Sequence, residues 1–214
     1  MKNIISIDPI IDCKVIRDVI TSPIVIRVNK FDEEPFKLFT EEVQKAENND
    51  QQVIPIIIDS YGGYCYSLLG MIDIIQSCSK PVATIIEGKA MSAGCSLAAM
   101  GTPGYRFVSP NSILMMHCLS AGFYGKIEEI KATAEDHKRL NKQIFRLIAK
   151  NCGHKDIDYF IKKIDEKKQA EWYITPKEAK KEGLIDHIGI PEIGVKVSVE
   201  HTFSPMIKKG AKSK

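Results

Sequence analysis

The chain has 214 residues, enough for one well-packed domain with a small appendage. With 44% hydrophobic and 27% charged residues it is neither a disordered nor a low-complexity chain. The net charge is +3, and Lys208, Lys209, Lys212 and Lys214 supply more than that excess, so the basicity belongs to the tail and a nucleic-acid face on the fold is not expected. The six cysteines form no C-x-x-C pair and read as free thiols of a reducing compartment. No apolar run of about 18 residues occurs, so no membrane span is expected. Met1 to Asp8 lacks the apolar core and cleavage site of a signal peptide, and the expected location is cytoplasmic.

Taken in chain order, Ile24 to Val28 is a short apolar strand candidate. Glu33 to Asn48 is helix-like, with Phe36, Phe39 and Val43 at helical spacing. Val53 to Ile58 reads as a strand buried on both faces, although Pro55 removes a ladder donor. Leu68, Ile72 and Ile75 mark a helix from Tyr64 to Ser79, stopped by Pro81. Val82 to Ile86 is the next strand, and Ser92 to Met100 a short helix of small residues. Arg106 to Val108 and Ile113 to Met116 are further strands. Lys126 to Lys150 carries the clearest apolar stripe of a helix, and Asp156 to Ile164 continues in the same class. Thr175-Pro176-Lys177-Glu178 combines an N-cap, a proline at the first helical position and a capping-box glutamate, with Gly183 as the stop. Leu184 to Ile188 returns to strand. The alternation makes the class α/β with right-handed crossovers.

Three chemistry-bearing positions fall where strands end or helices begin, the rim on which α/β folds build sites. Ser92 stands in Ala90-Met91-Ser92-Ala93-Gly94, where small neighbours admit a close backbone and a helix start supplies unpaired N–H groups. Gly62-Gly63 closes the run Asp59-Ser60-Tyr61-Gly62-Gly63, and His117 closes Pro110-Asn111-Ser112-Ile113-Leu114-Met115-Met116-His117. A serine hydroxyl attacks only when a base takes its proton, and the oxyanion it creates needs donors. Each feature also has a plain reading: a helix N-cap, a strand-to-helix turn, a buried histidine. His137, His154, His187 and His201 compete for the role of base.

With those motifs in order, the chain resembles the proteolytic subunit family of the Clp protease, from about Ile24 to Ile188. Thr175-Pro176-Lys177-Glu178-Ala179 through Gly183-Leu184-Ile185-Asp186 is similar to the family's C-terminal signature. The resemblance implies a ClpP/crotonase-like fold of repeated β-β-α units, with the helix at about 126–150 as a protruding handle. It divides the chain into a divergent segment at 1–23, the peptidase domain at 24–190 and an extension at 191–214 ending in a disordered basic tail. It implies a serine endopeptidase without metal or cofactor, cleaving peptides or unfolded proteins inside a homo-oligomeric heptameric ring, single or stacked in pairs. Ser92 would be the nucleophile and His117 the base. Glu171 would be the third member, with Asp165, Glu166 and Asp186 as rivals, and the N–H groups of Gly63 and Ala93 would form the oxyanion hole. Gly62, Gly63, Leu119 and Ser120 would pair with the substrate strand.

The departures are specific. The family's acid is usually aspartate where Glu171 stands, and its flanking arginines are Ala170 and Trp172 here. The family's Gln-Pro after the histidine is Cys118-Leu119. The segment by which the family meets an AAA+ ATPase unfoldase is not recognisable in Met1 to Pro23. Three other readings stand beside the peptidase: a catalytically silent Clp-like subunit or assembly component, a viral capsid-maturation protease on the same fold, and, ranked last, an acyl-CoA enzyme of the crotonase type.

Overall fold

A long central strand organises the sheet. The computed structural model describes residues 23–167 and 171–193, so the 1–22 segment and the basic tail lie outside the described residues. Strand β3 (Val82–Met91) is ten residues long and has three neighbours. On one side it pairs in parallel with β2 (Ile54–Ser60), which pairs in turn with β1 (Ile26–Val28). On the other side its first half pairs with β4 (Arg106–Val108) and its second half with β5 (Ile113–Met116), both parallel. Short β7 (His187–Ile188) extends the sheet beyond β4, and β6 (Trp172–Ile174) runs antiparallel beside β5. The chain adopts the α/β class, with a parallel sheet and helices between its strands.

The helices follow the apolar periodicity. α1 (Glu33–Glu47) is capped by Asp32 and buries Phe39, Val43 and Ala46. α2 (Cys65–Ser77) buries Leu68, Met71, Ile72 and Ile75, and every residue of the short α3 (Ala93–Ala99) is buried. α4 (Ile127–Asn151) buries Leu140, Ile144, Phe145, Ile148 and Ala149, all in its second half. α5 (Tyr159–Glu166) and α6 (Pro176–Lys181) follow; α6 starts with the expected Thr175–Glu178 capping box. Burial of each large aliphatic chain contributes about 1.5–3 kcal/mol, and Ile26, Ile54, Ile56, Ile58, Ile72 and Ile86 are wholly enclosed. Among the described residues no helix is long and apolar enough to cross a membrane.

Pro55 lies inside β2 without breaking it. The Ile54 N–H donates to Pro81 on the β3 side (2.9 Å), so by the two-residue alternation the Pro55 nitrogen faces the β1 side, just below where β1 begins. There the Gln51 amide brackets Ile24, accepting from its N–H at 2.9 Å and donating to its carbonyl at 3.3 Å. The strand expected at 184–188 is shorter than its apolar pattern. The Leu184 N–H closes the end of α6 on Ala179 (2.9 Å), and only His187–Ile188 pair with β4.

Asp186 is instead the anchor of that segment. Its carboxylate takes Arg106 Nη2 at 2.6 Å and Nε at 2.9 Å, and the backbone N–H groups of Gly104 and Arg106 at 2.8 and 3.0 Å. Arg106 is only 4% exposed and also donates to the Gly183 carbonyl (2.8 Å). Burial pushes the Asp186 carboxyl up, but the bonds and charge of Arg106 outweigh it and hold the group below its ordinary value. A depressed carboxyl stabilises fully above its unfolded value, and the contribution is lost as the pH falls through the folded one. Asp186→Asn is therefore expected to cost about 3 kcal/mol at neutral pH and to flatten the acid side of the stability profile. Urea unfolding from pH 7 to 3 checks both; wild-type stability in the variant would contradict the anchor.

Candidate active site

Ser92 is the only non-glycine residue with positive φ among those described, at φ +54° and ψ −119°. It forms the sharp corner between β3 and α3, a strand-to-helix turn that lifts a side chain out of the sheet. Such backbone strain costs of order 1–3 kcal/mol. It is held because the Ser92 N–H donates to Met115 on β5 (2.8 Å) and the Ser92 carbonyl accepts from the Ser96 N–H (3.1 Å) and hydroxyl (3.2 Å). The Ser92 hydroxyl does not cap α3 and makes no hydrogen bond among the described residues.

The glycine pair passes directly over this corner. Gly62 has φ +103°, and a Cβ there would lie 2.8 Å from Ser92 Cβ, 2.9 Å from the Met91 carbonyl oxygen and 3.1 Å from the Ala93 nitrogen. At Gly63 (φ +155°) a Cβ would meet the Phe31 carbonyl oxygen at 2.4 Å. Both positions therefore exclude any side chain by space as well as by backbone conformation. The loop is tied down by buried Ser60, whose hydroxyl donates to the Asn29 carbonyl (2.8 Å) and accepts from the Gly62 N–H (3.0 Å). The Tyr64 N–H donates to Phe31 at 2.8 Å. Neither the Gly63 nor the Ala93 N–H has an acceptor among the described residues, so two backbone donors are free beside one unpaired hydroxyl.

His117 follows β5. The ladder pairs Met91 with Met115, so one further step brings the end of β5 alongside Ser92. The His117 Nδ1 bonds the carbonyl of Cys118, which assigns the proton to Nδ1 and leaves the Nε2 lone pair open. No hydrogen bond joins His117 to Ser92. Glu171 lies one step beyond the β5–β6 ladder, whose last pair is Met116 and Trp172, so the register sets it opposite His117. Its carboxylate accepts from the Tyr173 hydroxyl at 2.9 Å and makes no hydrogen bond to the imidazole. The Leu119 N–H is committed to Asn141 Oδ1 at 3.0 Å, and Ser120 is exposed.

The competing histidines that are described sit elsewhere. His137 bonds the Thr133 carbonyl (2.9 Å) within α4, His154 bonds the Glu182 carbonyl (2.9 Å) and stacks on Tyr159, and His187 bonds the Gly104 carbonyl (3.0 Å). His201 lies outside the described residues. Asp186 is bound to Arg106. Asp165 on α5 lies within electrostatic reach of the Cys118 thiol, which burial first of all pushes up. Sequence reasoning missed Ser60 and Asn141. Ser60 carries a signal in hindsight, a small hydroxyl two residues before a glycine that must turn; Asn141 carries none.

A Clp protease family model matches residues 12–192 of the chain. The ATP-dependent Clp protease proteolytic subunit of Bacteroides thetaiotaomicron is 35% identical over 135 residues, which span 63% of this chain and 59% of that protein's length. The chain thus covers less than two thirds of this relative.

Gly62→Ala must either push the Ser92 corner aside or strain its own backbone. A loss of about 1–3 kcal/mol is expected in chemical denaturation. Wild-type stability in this variant would contradict the contact.

Proposed function

We propose that this chain, which belongs to the Clp protease family, is a serine endopeptidase acting on peptides or unfolded proteins. The observation that carries the reading is the unpaired Ser92 hydroxyl on a strained corner, touched by a glycine loop that leaves two backbone donors free. In the proposed reaction His117 Nε2 accepts the Ser92 proton as Oγ attacks the scissile carbonyl carbon. The carbonyl oxygen becomes an oxyanion between the N–H groups of Gly63 and Ala93. The tetrahedral intermediate collapses, His117 gives its proton to the departing amine, and the acyl group remains as an ester on Ser92. Water, deprotonated by His117, then hydrolyses the ester and restores the hydroxyl.

Glu171 is the proposed third member. It stands opposite His117 and would stabilise the imidazolium after leaving the Tyr173 hydroxyl for the ring. The substrate strand would lie between Gly62-Gly63 on one side and the Leu119–Ser120 backbone on the other. Because the Leu119 N–H is already bonded, the Leu119 carbonyl and the Ser120 backbone are the groups there that would pair. The assembly proposed is a homo-oligomeric heptameric ring, single or stacked, with α4 as its handle and an AAA+ ATPase as the feeding partner.

A silent Clp-like subunit is the second reading. It is favoured by Glu171 resting on Tyr173 and by the lack of a hydrogen bond between His117 and Ser92. Reaction with a fluorophosphonate separates the two, since an inert site does not label.

Ser92→Ala is expected to cut cleavage of a fluorogenic peptide by more than about 10³-fold and to leave the native mass of the particle unchanged. Retained cleavage would overturn the reading. Glu171→Gln keeps the shape but not the charge, and is expected to lower kcat by about 10² or more. An unchanged kcat would remove Glu171 from the mechanism.

A further inference from the structure

We infer that Asn141 is a positioning residue for His117, its side-chain amide gripping the Cys118–Leu119 peptide and so aiming the Cys118 carbonyl at the imidazole Nδ1. This rests on the reading of His117 as the catalytic base. The Cys118 carbonyl and the Leu119 N–H belong to one peptide unit, which is planar and trans, so they point in opposite directions from a single rigid plate. His117 holds the plate by its oxygen, and Asn141 Oδ1 holds it by its hydrogen at 3.0 Å. The other end of the same amide, Nδ2, reaches the Cys118 thiol at 3.6 Å. Two contacts therefore fix this peptide and a third holds the Cys118 side chain beside it, and none depends on Glu171.

Asn141 is itself set on a firm support. It follows buried Leu140 and precedes buried Ile144 and Phe145 on α4, in the half of the helix packed into the core. The grip also requires the residue found at 119. Proline, which the family carries there, has no N–H to give, whereas Leu119 has one. The titratable groups at this peptide are the His117 imidazole, the Cys118 thiol and Asp165 on α5, within electrostatic reach of that thiol; Glu171 stands one step beyond the β5–β6 ladder, opposite His117 in register. While Glu171 rests on Tyr173, the Cys118 carbonyl is the acceptor that keeps the proton on Nδ1 and the lone pair on Nε2.

The test compares the full chain with Asn141→Ala and Asn141→Asp. Asn141→Leu replaces the alanine where that variant fails to fold. The readouts are the His117 tautomer, from imidazole ¹⁵N spectra assigned with His117→Gln, and the kcat and KM for a fluorogenic peptide. The wild type is expected to hold the Nδ1–H form. Removing the amide is expected to mix the tautomers and to lower kcat about tenfold at unchanged KM. Aspartate, which keeps the acceptor for the Leu119 N–H, is expected to restore the Nδ1–H form and bring kcat to within about threefold of wild type. An unaltered tautomer in Asn141→Ala or Asn141→Leu overturns the inference, as does a loss that aspartate fails to rescue. A wild type that neither cleaves nor labels would sink the peptidase reading alone, because the tautomer spectrum reports the grip without turnover.

Discussion

Two backbones meet where Gly62 passes Ser92, in a gap too narrow for any Cβ. This contact brings the end of β2 and the end of β3 together, and with them two N–H groups and one hydroxyl that have no partner among the described residues. Parallel pairing of β2 with β3 delivers both ends to the same rim, and the register shift between Ile58 and Ser60 lets β2 turn before it would collide with the corner. The buried Ser60 hydroxyl then fixes the turn from beneath.

A corner with positive φ at serine must be held by its surroundings. α3 supplies part of that support, since all of its residues are buried and Asn151 donates to its last carbonyl, Ala99, at 2.8 Å and to the Gly101 carbonyl just beyond it at 2.9 Å. Asn141, ten residues earlier on the same α4, holds the Cys118–Leu119 peptide. One long helix thus braces the helix after Ser92 from its far end and the loop after His117 from the side. α4 can do both because its second half is embedded in the core.

Much of this was legible in the sequence because its signals are local. Continuous apolar runs marked β2 and the first half of β3, the Thr175–Glu178 box marked α6, and short motifs marked Ser92, Gly62-Gly63 and His117. What was not legible depends on tertiary pairing. β3 runs on through Gly88 and Lys89 to Met91 because β5 pairs with that half, and nothing within the segment announces it. β6 is three residues long and exists through its antiparallel partner. The strand expected at 184–188 yields to the pull of Arg106 on Asp186, a contact across 80 residues. Asn141 looks like any polar residue on a helix until the loop after His117 is seen to lie against it. The rest of Glu171 on Tyr173 is likewise a rotamer choice that a sequence does not encode visibly.

We propose that the corner at Ser92 and the glycine loop above it form one oxyanion site. A crystal structure of the chain with a peptidyl boronate or phosphonate tests this most directly. The expected result is a covalent bond to Ser92 Oγ, with the adduct's oxygen about 2.7–3.1 Å from both the Gly63 and the Ala93 nitrogens. An adduct whose oxygen turns away from these two donors, or a Ser92 that stays unmodified, would contradict it.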